Sequence, residues 1–484
     1  MKTLEKALKL IVTPLALSMA LAGCMSLAPK YERPAAPVAP AFPEVPRAGG
    51  TALPVATSEA PAALAWQRFF ADARLRQLIE MSLANNRDLR VSILNIEQAR
   101  AQYRITRAER LPTVSGIVSG NRQTTGDDAP ISSIYQAGFG VSAFELDLFG
   151  RVRNLSQAAL AQFLATEEAR RTTQISLVAS VANTYLTLLA DDELLAITQQ
   201  TLKTREESDR LTRLRFENGV VSKLELQQST SLVETARAEL ARFQRQRAQD
   251  ANLLTLLVGQ TIPENLPAGA TLAATELPEL PAGLPSDLLT TRPDIRAAEQ
   301  QLIAANANIG AARANYFPRI SLTGSVGSAS TELSGLFKSG SFGWTFAPQA
   351  VLPIFDLGRI RAGVDSARAG RDIAVAEYEQ SIQTAFREVA DALAGQATFS
   401  EQLRAQRAVA AAEQDRYNLS ELRYKSGAAS YLDLLDAQRS LFQAQQLAVQ
   451  ANLQRLQNQV TLYRVLGGGW SEPVAAAPLA QASR

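Results

Sequence analysis

The sequence contains no histidine. That removes the usual general base, the commonest zinc ligand and every Ser-His or Cys-His nucleophile pair. Its single cysteine, Cys24, can form neither an intrachain disulfide nor a cysteine metal cage. Methionine is scarce, four in 484 residues, so the methionine clusters of a soft-metal exporter are missing too. Charge of one sign is not in excess: 49 Lys plus Arg face 47 Asp plus Glu, which gives no bulk field for nucleic acid. No P-loop, G-x-S-x-G or EF-hand sequence occurs. These absences argue against catalysis, cofactors, metal sites and nucleic-acid partners, and no residue is assigned to any of them. At 46% hydrophobic and 20% charged, most of the chain can nonetheless fold.

The N-terminus reads as a targeting segment. Lys2, Lys6 and Lys9 give a basic start, and an apolar run from Leu8 to Leu21 follows with little interruption, too short for a comfortable membrane span and suited to a secretory signal. The run ends Leu21-Ala22-Gly23-Cys24, which resembles the lipobox of bacterial lipoproteins. Residues 1–23 are then the signal peptide and Cys24 the lipidation site. Met25 follows, not the aspartate that retains lipoproteins in the inner membrane, so the outer membrane is expected. Residues 24–63 hold Pro29, Pro34, Pro37, Pro40, Pro43, Pro46, Pro54 and Pro61; that density predicts an extended, solvated, lipid-anchored tether. Residues 470–484 read as a flexible tail.

The body between is a duplication, residues 64–275 and 276–469. Arg87-Asp88-Leu89-Arg90 returns as Pro293-Asp294-Ile295-Arg296, and Pro112 and Ser115 return as Pro318 and Ser321, 206 residues on. Further along the offset is 208: Gly150-Arg151-Val152-Arg153 meets Gly358-Arg359-Ile360-Arg361, and Ser222-x-Leu224 meets Ser430-x-Leu432. Units of this length are half-domains, not solenoid repeats.

Each half predicts the same order of elements. A helix over about Asp88–Arg110, and again Asp294–Tyr316, ends at a proline. Two strands follow, alternating with a period of two. Tyr135, Ala137, Phe139, Val141 and Ala143 share one face against Gln136, Gly138, Gly140 and Ser142; Phe342, Trp344 and Phe346 share a face against Gly343, Thr345 and Ala347. Membrane-barrel strands of about ten residues alternate in this way. The phase shifts near Phe144, which predicts a bulge. Then 150–217 and 358–425 run without proline, and Ile360, Val364, Ala367, Ala374, Tyr378, Ile382, Ala385, Val389 and Ala392 recur at helical spacing. Helices of that length reach about 100 Å at 1.5 Å per residue. Asn218-Gly219 and Ser426-Gly427 end them, and Ser222 and Ser430 can cap the returning helices to Val258 and Leu466.

On these features the chain resembles the TolC-like outer membrane factor family, in its lipidated, OprM-like branch. The stretches carrying the resemblance are Phe144-Glu145-Leu146-Asp147-Leu148-Phe149-Gly150-Arg151, Arg292-Pro293-Asp294-Ile295, Asn308-Ile309-Gly310-Ala311-Ala312 and Tyr431-Leu432-Asp433-Leu434-Leu435-Asp436-Ala437-Gln438. The resemblance implies a mixed α and β homotrimer whose four strands per chain close one twelve-stranded barrel, continued by a helical periplasmic tunnel. It implies a passive outer-membrane duct of a tripartite multidrug efflux pump, served by a periplasmic adaptor and a proton-driven inner-membrane pump of the resistance-nodulation-division type. Four strands cannot close a barrel, and no sheet edge can lie open in lipid, so several copies are needed on physical grounds as well.

By the same resemblance Leu432, Asp433 and Asp436 form the periplasmic gate. Tyr424 and Glu225 belong to a network locking the two hairpins, although Ala429 replaces the family's basic member. The tip turns at Gly219, Ser222, Gly427 and Ser430 would meet the adaptor, and Tyr135, Phe139, Phe342, Trp344 and Phe346 would face lipid. On the residues alone, Asp433 and Asp436 also fit a solvated helix N-terminus, where the dipole favours Asp. The alternative function is a duct of the same fold for protein secretion or metal export. A coiled-coil scaffold without a pore and an enzyme are the readings from other classes.

Overall fold

The computed structural model describes residues 26–43, 64–124, 131–281 and 285–470. Cys24, the rest of the proline-rich stretch to 63 and the tail from 471 lie outside the described residues. The chain divides into two compact units.

The first unit takes the described part of Met1–Ala36, with Leu94–Glu167 and Arg296–Gln380. Its centre is a four-stranded antiparallel sheet in chain order, β1 Val114–Gln123, β2 Ser132–Leu146, β3 Arg319–Ser330 and β4 Phe342–Val351. β1 and β4 are its edges. Register places Gly116, Phe139, Val326 and Trp344 in one row across all four strands. Phe346 and Phe342 flank Trp344 on β4, and all three are exposed, as is Phe139. The opposite face is small and polar, with Ser325 and Thr345 hydrogen-bonded at 2.7 Å. The expected bulge lies between Val141 and Phe144, with Ala143 at φ +49°. It returns Phe144 to the apolar face, opposite Leu322.

Residues 26–36 correct the expected tether. They are extended and free of helix, but they are tied to the unit by hydrogen bonds, with Lys30, Glu32, Arg33, Ala35 and Ala36 still exposed. Ser26 Oγ donates to Asn154 Oδ1 at 2.7 Å, Asn306 Nδ2 to the Pro29 carbonyl at 2.8 Å and Arg313 Nη1 to the Leu27 carbonyl at 3.1 Å. Glu299, almost buried, accepts from Tyr31 Oη at 2.9 Å and from Arg33 Nε and Nη2 at 2.8 and 2.9 Å. Proline density dictates an extended backbone. It does not dictate that water covers it.

The second unit takes the described residues of Pro37–Ile93, Glu168–Ile295 and Ser381–Arg484. Phe42, still in the proline-rich stretch, stacks on Phe386 at 5.1 Å. Three helices of this unit have no counterpart in the sequence reading: α1 Trp66–Phe69, α2 Ala73–Asn85 and the short helix Pro285–Thr291. Asp72 caps α2, accepting from Arg74 N and Leu75 N, and also accepts from Tyr185 Oη at 3.0 Å and Ala270 N at 2.9 Å. Phe69 stacks on Tyr463 at 4.1 Å, and Tyr463 Oη donates to the Leu64 carbonyl.

The remaining helices are α3 Arg87–Ala108, α4 Arg151–Glu217, α5 Lys223–Val258, α6 Pro285–Thr291, α7 Pro293–Ala314, α8 Arg359–Lys425 and α9 Tyr431–Val465. α4 and α8 have 67 residues each, and the α8 stripe is buried from Val364 to Ala392 at Ala374, Tyr378, Ile382, Ala385 and Val389. The duplication extends to matching side-chain bonds. Asn86 Nδ2 donates to the Leu257 carbonyl, and at the equivalent positions Arg292 Nη1 donates to the Val465 carbonyl. Gly259 lies against Asn85, and its equivalent Gly467 against Thr291. Arg292 then differs from Asn86 by its charge, which is met by Asp294 at 2.6 Å and Glu388 at 3.0 Å. None of the described helices is long and apolar enough to cross a membrane, which says nothing of strands.

Candidate functional site

The tips of the two helical hairpins carry the candidate gate, and both lie in the second unit. Each long helix ends in the same hydrogen-bonded reversal. Gly219 stands at φ +70° and its N–H bonds to the Phe216 carbonyl, while Val220 N bonds to the Arg215 carbonyl at 2.8 Å. Gly427 stands at φ +75° with N–H to Tyr424, and Ala428 N bonds to Arg423 at 2.9 Å. A left-handed residue is what this motif demands, and glycine supplies it without a Cβ penalty. The serines cap as the sequence predicts. Ser222 Oγ accepts from Glu225 N at 3.2 Å, and Ser430 Oγ accepts from Asp433 N at 3.3 Å.

Asp433 closes a capping box. Its Oδ2 accepts from Ser430 N at 3.2 Å and from Ser430 Oγ at 3.0 Å. Its carboxylate is therefore folded over the first turn of α9, the arrangement that a helix N-terminus favours. Asp436, one turn on, forms an ion pair with Arg416 of α8, which also meets Glu413 at 3.1 Å. Arg416 is half-exposed, and these bonds raise its pKa above the ordinary arginine value. Leu432 is exposed, as is its repeat equivalent Leu224. Within one chain the three candidate gate residues thus present one apolar side chain and two carboxylates that already have intrachain partners.

Tyr424 is hydrogen-bonded to the other hairpin by a residue the sequence reading did not name. Its hydroxyl accepts from Arg215 Nη1 of α4 at 2.9 Å, and the same guanidinium lies 5.3 Å from the tyrosine ring centroid. Glu225 makes no hydrogen bond to Tyr424 here; it acts on the phenol by charge alone. Burial is the first cause that raises the Tyr424 pKa, with Arg215 opposing it. The ring also lies 5.3 Å from Tyr431, against a cluster of Leu232, Tyr431, Leu434 and Leu435 that spans both hairpins. Arg215 is thus the cation beside Tyr424, while position 429 carries Ala429. Higher up, Arg205 of α4 is buried, donates to the Leu232 carbonyl at 3.1 Å and sits 5.3 Å from the Phe442 ring. Desolvation lowers its pKa.

The other named positions belong to the sheet of the first unit. Tyr135 is half-buried beside Gly120, its cross-strand partner, whereas Phe139, Phe342, Trp344 and Phe346 stand exposed on the apolar face. Among the described residues no group of His, Cys, Asp and Glu could hold a metal ion.

The outer membrane efflux protein model matches residues 78–260 and 284–468. Each matched segment falls inside one of the two stretches read as repeats. The chain belongs to the outer membrane efflux protein family. It is 51% identical over 464 residues to the toluene efflux pump outer membrane protein TtgC of Pseudomonas putida, covering 94% of this chain and 95% of that one. Identity and coverage are the same for the antibiotic efflux pump outer membrane protein ArpC, also of Pseudomonas putida. Among solved structures, the open state of the MtrE outer membrane channel of Neisseria gonorrhoeae superposes with TM-score 0.84 at 40% identity, over 92% of this chain and 99% of that one.

Proposed function

We propose that this chain is the outer-membrane channel subunit of a tripartite multidrug efflux pump, a passive duct that carries small molecules across the periplasm and the outer membrane. One observation carries the reading. A four-stranded sheet with an aromatic row on one face ends in two strands, β1 and β4, that pair with nothing further among the described residues. In lipid such edges must be satisfied, and only a closed barrel does so. Three copies supply twelve strands, an even number within the range of bacterial barrels. The aromatic face then meets lipid and the serine- and threonine-bearing face lines the lumen.

Lipid on Cys24 holds the chain at the outer membrane. The hairpins form the gated periplasmic end, with Leu432, Asp433 and Asp436 at the constriction and Arg215–Tyr424 tying its two hairpins. The turns at Gly219, Ser222, Gly427 and Ser430 are the surface an adaptor protein would meet. The duct performs no chemical step. Two relatives of equal similarity bear the names of a toluene pump and an antibiotic pump, which supports small, largely apolar cargo. Crosslinking in intact membranes followed by purification tests the assembly. Recovery of an adaptor and a proton-driven inner-membrane pump is expected; recovery of a protein-secretion or metal-export machine instead would move the chain to the other duct class.

A further inference from the structure

The internal repeat shows how one copy meets the next. Inside the chain, β2 pairs with β3, so the second strand of one repeat lies beside the first strand of the other. Behind those strands the two connections also meet. Phe149, on the way from β2 to α4, stacks on Phe317, on the way from α7 to β3, with ring centroids 4.6 Å apart. Around that stack Glu145 receives Arg151 at 2.7 Å and Arg319 at 2.6 Å.

The repeat offsets give every member of this junction an equivalent. Phe149, 208 residues on, is Leu357; Phe317, 206 residues back, is Leu111. Glu145 becomes Pro353, Arg319 becomes Thr113, and Arg151 becomes Arg359. These equivalents do not meet within the chain. They sit behind the two free edges, β4 and β1. Their apolar members are bare, Leu357 88% exposed and Leu111 71%, and so are the neighbours of Leu357, Ile354 at 95% and Phe355 at 84%. Leu357 also holds φ +54°, a conformation a branched side chain adopts only at a cost. Such a patch on one end of a molecule, with its complement on the other, describes a head-to-tail interface that closes into a ring.

Building on the trimeric reading above, we propose that the segment 354–357 of one chain docks on the α3–β1 connection of a second copy, with Leu357 on Leu111 of the partner subunit. This seam repeats the Phe149–Phe317 junction in an apolar form, because Pro353 and Thr113 stand where the intrachain junction has its carboxylate and second arginine. The seam between copies is therefore insensitive to salt, whereas the seam within the chain carries ion pairs on Glu145, of which the one to the exposed Arg319 is screened by salt.

Paired cysteines in the full-length, membrane-inserted protein test it. Leu111→Cys with Leu357→Cys, mildly oxidised, is expected to give covalent species of up to three chains that reductant dissolves. Neither single variant does so, which controls for Cys24. The double variant Thr113→Arg with Pro353→Glu adds the missing ion pair and is expected to raise the dissociation temperature of the trimer more than either single change. Native mass analysis separates the two ways of failing. A trimer that forms no crosslink overturns the seam and leaves the channel reading standing. A monomer in the inserted state overturns both. A trimer whose Leu357→Cys thiol reacts with a bilayer-confined maleimide assigns the patch to lipid and likewise overturns the seam.

Discussion

Asp191 gives the sharpest pH prediction. It lies on α4 and is 1% exposed, with Oδ2 hydrogen-bonded to nothing. Its carboxyl meets that of Asp250 on α5; Asp192 adds a like charge and Arg247 offsets part of it. Two carboxylates in contact cannot both ionise cheaply, so a proton is shared between them. Burial first, then Asp250, pushes the Asp191 pKa from 3.8 up to about 7. The folded chain thus holds a proton that the unfolded chain releases near pH 4. Stability from this pair falls as pH rises from about 4 to about 7, and the full cost is present above that window. At about 1.36 kcal/mol per unit the ceiling is about 4 kcal/mol. Arg247 and the half-buried setting of Asp250 reduce it to roughly 1–2 kcal/mol. Asp191→Asn removes the proton and lets the amide donate to Asp250 at every pH. The variant should melt a degree or two above wild type at pH 8, and the gap should close by pH 5, read by scanning fluorimetry of the purified protein. Parallel pH profiles, or a variant less stable at pH 8, would refute the shared proton.

Four further outcomes follow from the geometry. Tyr424→Phe keeps the ring and removes the acceptor for Arg215, worth about 0.5–1.5 kcal/mol; single-channel recording should show more frequent opening, and Arg215→Ala more still, with equality to wild type counting against the lock. Asp433→Ala with Asp436→Ala should raise conductance and weaken block by divalent cations from the periplasmic side, Asp433→Ala alone losing about 1 kcal/mol of capping; unchanged conductance and block would make both ordinary solvated residues. Trp344→Arg should lose up to about 2–4 kcal/mol if it lies near the bilayer midplane, lowering trimer yield, while Thr345→Arg alters only conduction; equal losses would reverse the assigned faces. Glu299→Ala should release Tyr31 and Arg33 and speed tryptic cleavage after Lys30, the bond after Arg33 being closed to trypsin by Pro34; a Lys30 bond cut no faster than in wild type would show that Glu299 does not hold the segment.

The long elements were legible because local chemistry marks both their ends. Gly219 and Gly427 supply the left-handed residue, Ser222 and Ser430 the cap, and nothing between interrupts a helical stripe. The strands were legible by period, down to the bulge before Phe144. α2 was missed because only Asn86, neither proline nor glycine, separates it from α3. What covers residues 26–36 was illegible for a different reason. Their partners Asn154, Glu299, Asn306 and Arg313 are more than a hundred positions away, and composition reports backbone preference, not contact. Distance in sequence likewise hid Arg215, whose acceptor Tyr424 lies 209 residues on. At the tips, residue types pointed to Asp433 and Asp436, but only coordinates show that one closes a capping box and the other meets Arg416.

The central claim is that copies of this chain close a pore through the outer membrane. Reconstituting the purified full-length protein into planar bilayers tests it most directly. Discrete, unitary conductance steps from a species of three chains, with charge placed at Thr345 altering the step size, are the predicted result. A protein that binds the bilayer, remains a trimer and passes no current would contradict it.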